Sequence, residues 1–248
     1  MGHVLLTFQP TLSSVSSYFP TFRRKLNHAG YECVYLDAPH LLPMMSTVKI
    51  DGKEVQITNG ERKNAKAWFL YSKTDSADAS MALKETPMEY IGLCASIQRV
   101  KECLMRCNNN HNNFCAILGF SQGATFCHVL SKLASTGKHN NDPDSDLNPF
   151  AKIRCAVLLS GFPSMHNGSL ENITTKTTAH NNNKNNLIDL RSLHIFGEKD
   201  TSVPKSFGEK LANSFSDPET YDHGKGHWIP HTAVLCERVI DFLDSCSA

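Results

Sequence analysis

The chain has 248 residues, with 25 Lys and Arg against 24 Asp and Glu and a formal net charge of +1. That length suits one α/β domain, and the near-neutral charge offers no electrostatic case for nucleic acid or an anionic membrane. The nine cysteines lie mostly inside apolar runs, with no C-x-x-C pair and no zinc spacing. They read as reduced thiols of a cytoplasmic protein rather than as a disulfide frame or a metal site.

Met1 to Leu6 carries no basic segment and no apolar core long enough for a signal peptide, and no run reaches the length of a membrane span. His3 to Phe8 reads as a first strand. Tyr18, Phe22 and Leu26 share one face of a helix, which Pro20 restricts to a start near Phe19 and which Ala29-Gly30 ends. Tyr31 to Leu36 is a second strand. Residues 41 to 65 are polar, with a small hairpin expected between Lys49 and Ile57 around Asp51-Gly52. Ala67 to Tyr71 is a short aromatic segment, a core or pocket wall. A long helix is expected from Thr86 to Arg106, with Met88, Ile91, Cys94, Ile97, Val100 and Leu104 buried.

Phe114 to Leu118 is an unbroken apolar run, the mark of a central parallel strand. It enters Gly119-Phe120-Ser121-Gln122-Gly123, a G-x-S-x-G pentapeptide, and Ala124, Val129, Leu130 and Leu133 then recur at helical spacing. Strand, tight turn with a central serine, and helix make a nucleophile elbow. Glycines flank the serine because side chains there would collide in so tight a turn. The helix N-terminus faces Ser121, so its free N–H groups favour an oxyanion there, and the N–H of Gln122 is the candidate donor.

Further on, Ile153 to Ser160 reads as a buried strand. Residues 164 to 187 form an Asn-, Ser- and Thr-rich insertion with few apolar residues, not a second domain. Leu193 to Phe196 is a strand, Lys205 to Phe215 a helix, and Glu219 to Tyr221 the end of another strand. Thr232 to Ser245 closes the chain as a helix with Val234, Leu235, Val239 and Ile240 facing inward. Strands alternating with helices imply a mostly parallel sheet covered on both faces, with the active site at the strands' C-terminal ends.

Two segments there supply an acid and a base. After the strand ending Ile195-Phe196, Gly197-Glu198-Lys199-Asp200 places Asp200 just past a turn, where it can reach back to the sheet rim; Glu198 is the competing carboxylate. His223-Gly224-Lys225-Gly226-His227-Trp228 offers two imidazoles, of which His227 directly precedes the closing helix and is the expected base. His223 is expected to support the loop, and His40, His128 and His194 are expected to be structural. The chain order Ser121, Asp200, His227 is that of an α/β-hydrolase. Such a group attacks a carboxylic ester or thioester through an acyl-enzyme.

Tyr35-Leu36-Asp37-Ala38-Pro39, Ala67-Trp68-Phe69, Leu118 to Ala124, Leu159-Ser160-Gly161-Phe162, Gly197 to Asp200 and His223 to Pro230 run in one order along nearly the whole chain. Together they resemble the FSH family of serine hydrolases, related to carboxylesterases and acyl-protein thioesterases. The resemblance implies an α/β-hydrolase fold without a large lid, carboxylic-ester or thioester hydrolysis, and Ser121, Asp200 and His227 as the triad. No cofactor or metal is expected, and the expected partner is a small-molecule ester or thioester substrate.

One feature departs from that family. After the first strand its members carry His-Gly and then a residue whose N–H completes the oxyanion hole. Here the strand runs Leu5-Leu6-Thr7-Phe8-Gln9-Pro10, and an ungapped alignment puts Pro10, which has no N–H, at the donor position. A one-residue shift that presents the N–H of Phe8 or Gln9, or the side-chain amide of Gln9, is the candidate replacement. A site with one donor would be slowed by about 10²–10³, and the alternative function is a weakened hydrolase-fold protein that binds its ligand.

Overall fold

The computed structural model describes residues 3–9, 20–41, 45–50, 53–58, 66–71, 89–106, 114–138, 148–166, 187–228 and 232–247. In chain order these hold β1 (His3–Gln9), α1 (Pro20–His28), β2 (Tyr31–Asp37), β3 (His40–Leu41), β4 (Met45–Ile50), β5 (Lys53–Thr58), β6 (Lys66–Ala67), β7 (Leu70–Tyr71), β8 (Tyr90–Ile91), α2 (Leu93–Arg106), β9 (Phe114–Phe120), α3 (Gln122–Lys138), β10 (Ile153–Leu159), β11 (Ile188–Phe196), α4 (Lys205–Ala212), β12 (Phe215–Asp222) and α5 (Ala233–Ser247).

Six strands form one sheet in the order β12-β11-β10-β9-β1-β2, and every neighbouring pair is parallel. The chain starts at β1, steps outward to β2, then returns across β1 to β9 and continues the other way. The order therefore reverses between β1 and β9, and in open α/β sheets the crevice at such a reversal is where ligands bind.

Period-two alternation divides the sheet residues between two cores. Val4, Leu6, Phe8, Ile117, Ala156 and Leu158 meet α2, α3 and α4 on one face. Leu5, Ala116, Leu118, Val157, Leu193 and Ile195 meet α1 and α5 on the other. The central strands are thus apolar on both faces, as a covered parallel sheet requires. Helices on both faces of a parallel sheet, without a helical lid among the described residues, make this an α/β-hydrolase fold.

Several elements differ from their sequence expectation for identifiable reasons. The long helix begins at Leu93, not Thr86: Gly92 has φ of +79°, and Tyr90 and Ile91 pair with Tyr71 and Leu70 as a ribbon. Met88 lies outside the described residues, and Cys94 is exposed rather than buried. β11 starts at Ile188, five residues before Leu193; polar Asp189 and Arg191 interrupt its apolar run where the strand is half covered. β12 is a full strand of 8 residues whose pattern is mostly exposed. It lies at the sheet edge, where polar side chains and Pro218 are tolerated. The helix after Pro204 stops at Ala212 because Phe215 already belongs to β12. Val234 is 61% exposed and does not face inward. The expected hairpin is present as β4 and β5, with Ile50 opposite Lys53.

The polar segment expected from residue 164 begins with three anchored residues. The Ser164 N–H donates to His128 Nδ1 at 2.8 Å, the Met165 N–H to the Tyr90 hydroxyl at 2.9 Å, and the Tyr90 N–H to His166 Nδ1 at 3.1 Å. Residues 167 to 186 lie outside the described residues. Replacing 167–186 with a short Gly/Ser linker is expected to leave the melting temperature within about 2 °C, since loop length enters stability only logarithmically. A fall of 10 °C or more in a thermal scan would show that the segment packs on the core.

Candidate active site

Ser121 follows the central strand β9 directly, at the reversal point of the sheet. Its backbone is left-handed, with φ of +55°, a conformation that costs an L-residue about 1–3 kcal/mol. Neighbouring contacts hold it there. The Ser121 N–H donates to the Leu159 carbonyl of β10 at 2.9 Å, and the Ser121 carbonyl accepts from Ala124 and Thr125 at 2.9 and 3.1 Å, starting α3. A Cβ on Gly119 would run into the backbone of Gly123, so only glycine allows the strand and helix ends to approach this closely. The turn lifts the hydroxyl clear of the sheet.

Asp200 lies in the turn between β11 and α4. Its side chain is fully buried while that of His227 is 22% exposed. Asp200 Oδ1 accepts the N–H groups of Ser202 and Val203 at 2.9 and 2.8 Å, which fixes the carboxylate plane. Its Oδ2 lies 2.7 Å from His227 Nδ1, and His227 Nε2 lies 3.0 Å from Ser121 Oγ. An ionised carboxylate only accepts, so Nδ1 carries the proton and Nε2 is left to accept from the serine hydroxyl. Phe120 packs against the imidazole with ring centroids 4.9 Å apart.

The His227 loop docks on the strand end at Gly197, where a Cβ would meet the Lys225 carbonyl and the His223 ring. The His223 N–H donates to the Phe196 carbonyl at 3.0 Å, and His223 Nδ1 accepts the Lys225 N–H at 3.2 Å. Burial holds the His223 imidazole below its usual range. Of the two imidazoles, His227 faces Ser121 and His223 shapes the loop. The Glu198 side chain is exposed; its backbone N–H donates to Asp222 at 3.0 Å.

Gln122 opens α3, so its N–H belongs to the first turn, whose donors have no partner within the helix. Its side chain has a second contact that the sequence reading did not anticipate. Gln122 Oε1 accepts the Trp68 N–H at 3.0 Å, and Nε2 donates to the Phe69 carbonyl at 3.0 Å. The amide therefore joins the aromatic segment to the elbow as a β-bridge would. Trp68 stacks on Phe126 of α3 at 4.7 Å, and Phe69 stacks on Tyr90 at 4.0 Å. Gln122→Ala removes both hydrogen bonds and is expected to cost about 2–4 kcal/mol, read as a lower urea midpoint at constant m-value. An unchanged midpoint would mean that the aromatic packing alone holds the segment.

β1 ends at Gln9, one residue beyond Phe8, which pairs with Gly119 of β9. The end of β1 thus lies beside the elbow. The Gln9 side chain and Pro10 lie outside the described residues. His40, His128 and His194 lie away from this group of residues: His40 Nε2 sits 2.8 Å from the Gly92 carbonyl, and His128 and His194 are buried.

A parallel six-stranded sheet with a strained serine between its central strand and helix defines an α/β-hydrolase. The family model described as serine hydrolase (FSH1) matches residues 9–239, and the chain belongs to this family. It is 31% identical over 236 residues to esterase AGAP003155 of Anopheles gambiae, covering 95% of this chain and 73% of that protein. It is 28% identical over 221 residues to esterase OVCA2 of Mus musculus, covering 89% of this chain and 85% of that one. Its fold resembles that of Zea mays acyl-protein thioesterase 2, with a TM-score of 0.57 at 16% identity over 100% of this chain and 94% of that chain.

Proposed function

We propose that Ser121, His227 and Asp200 form a catalytic triad that hydrolyses carboxylic esters or thioesters of small molecules through an acyl-enzyme. The observation that carries this reading is the continuous path Asp200–His227–Ser121, with links of 2.7 and 3.0 Å. His227 Nε2 takes the serine proton as Oγ attacks the acyl carbonyl, and Asp200 steadies the resulting imidazolium. His227 then passes the proton to the departing alkoxide or thiolate. In the second half it deprotonates a water, which releases the acid and restores Ser121.

The oxyanion of each tetrahedral intermediate lies at the start of α3, where the Gln122 N–H is one donor and the helix dipole adds to it. The end of β1 at Gln9 supplies the second. The chain works as one hydrolase domain. The buried thiols of Cys127 and Cys155, which form no disulfide, support a reducing, cytoplasmic setting. The testing experiment is covalent labelling by a fluorophosphonate probe followed by peptide mapping. The label is expected on Ser121 and absent from Ser121→Ala; folded wild-type protein that takes up no label overturns the proposal.

A further inference from the structure

Asp222 is the last residue of β12, the strand that delivers the histidine loop, and it pairs in register with Phe196, the last residue of β11. Its carboxylate contacts three points. Oδ1 accepts the Glu198 N–H at 3.0 Å and the Gly224 N–H at 2.8 Å. Oδ2 accepts from Lys205 Nζ at 2.9 Å. Glu198 lies two residues before Asp200, and Lys205 begins α4 five residues after it, so the carboxylate grips the acid loop on both sides of Asp200. Gly224 lies three residues before His227 and has φ of +65°, which turns the histidine loop back toward the sheet. A second tie runs alongside, from the Lys199 N–H to the Lys225 carbonyl at 3.1 Å.

We propose that Asp222 is a positioning residue, whose carboxylate sets the distance between the acid loop and the histidine loop and hence the Asp200–His227 contact. This inference rests on the triad reading above. Two features favour positioning over a bare ion pair at this exposed position. Two of its three contacts are backbone N–H groups, which do not swing away as a lysine does. And those two N–H groups belong to the two different loops. Burial pushes the Asp222 carboxyl up, but the contacts from Lys205, Gly224 and Glu198 outweigh it and hold the group below the usual carboxylate range.

The test compares Asp222→Ala, Asp222→Asn and Lys205→Ala with the wild type on an activated ester, with turnover expressed per fluorophosphonate-labelled site. Asp222→Ala is expected to lower kcat by about 10–100-fold with KM within about twofold, because small misplacements of reacting groups cost that much. Asp222→Asn keeps a neutral acceptor oxygen but loses the charge, and is expected to lose several-fold. Lys205→Ala removes one grip and leaves both N–H contacts, and is expected to lose less than Asp222→Asn. The acid limb of the kcat/KM profile reports the imidazole. It is expected to move to lower pH in both Asp222 variants, since a loosened carboxylate stabilises the imidazolium less.

A wild-type limb together with wild-type turnover per labelled site in Asp222→Asn overturns the proposal, even if Asp222→Ala fails to fold. So does an activity loss that tracks the folded fraction alone. Ser121→Ala separates this inference from the one beneath it: if that variant keeps activity, the triad reading fails, and if it is inactive while the Asp222 variants behave as wild type, only the positioning role fails.

Discussion

Ser121→Ala is expected to lower kcat by about 10³-fold or more while the protein remains folded. The mutant keeps a Cβ, so the left-handed backbone at +55° and the two carbonyl contacts that start α3 are retained; only the hydroxyl is lost. His227→Ala is expected to cost a similar factor, and combining the two should add little, because nucleophile and base act as one unit. Asp200→Asn tests a separate point. An asparagine oriented to keep the Ser202 and Val203 N–H contacts turns its NH₂ toward His227 Nδ1. That favours the tautomer with the proton on Nε2, which cannot accept from Ser121, and a loss of about 10³–10⁴ in kcat is expected. Ser121→Gly removes the backbone strain as well as the hydroxyl, so it should be inactive yet more stable by about 1 kcal/mol. The measurements are steady-state hydrolysis of an activated ester and urea denaturation. Turnover that survives in His227→Ala and disappears in His223→Ala would assign the base to the other imidazole.

The second large effect concerns stability and pH. His128, on α3, is buried beside Phe215 of β12: its Nδ1 accepts the Ser164 N–H at 2.8 Å, and its Nε2 lies 3.2 Å from Ser214 Oγ. The ring of His194 contacts that of Phe215 at 5.0 Å, its Nε2 lies 2.9 Å from Ser192 Oγ, and its Nδ1 is buried without a hydrogen-bond partner. Burial lowers the pKa of both imidazoles, with Lys132 and His194 adding to the effect at His128 and with His194 brought to about 3.

Both groups are therefore neutral in the folded state at pH values where the unfolded chain is already protonated. With folded values below the unfolded value of about 6.5, the stability they contribute is complete above pH 6.5 and is lost as pH falls from there toward the folded values. For His194 the slope reaches about 1.4 kcal/mol per pH unit in that window, a cost of about 2 kcal/mol between pH 7 and pH 5, and His128 adds in the same direction. That is a sizeable part of the 5–15 kcal/mol that typically holds a domain together. His194→Leu removes one titration and the orphaned nitrogen, so it should flatten the slope measured by urea denaturation at several pH values. A slope unaffected by His194→Leu would place the acid sensitivity elsewhere.

Much of this site is legible in one dimension because its parts are local. The apolar run at 114–118, the paired glycines and the helical spacing after Ser121 each report a conformation within about ten residues. The carboxylate of Asp200 and the imidazole of His227 are recognisable because each follows a strand or precedes a helix whose period is strong. The central strands are plain for the same reason: a sheet covered on both faces leaves no polar position to interrupt Ala156-Val157-Leu158-Leu159.

What stayed hidden depends on neighbours far along the chain. Of β12 only the end, Glu219 to Tyr221, reads as strand; Phe215 to Pro218 is strand because β11 offers it an edge. The start of α2 is decided by Gly92 and by the pairing of Tyr90 and Ile91 with β7, not by the periodicity that runs through them. Gln122 marks a helix start, yet its grip on Trp68 and Phe69 spans more than fifty residues. Asp222 looks like any solvated acid until β11 and β12 set their ends side by side. Sequence patterns record which surfaces must be buried, because apolar periodicity is a property of each segment. The distances that join Asp200, His227 and Ser121 from three loops arise only when those segments pack.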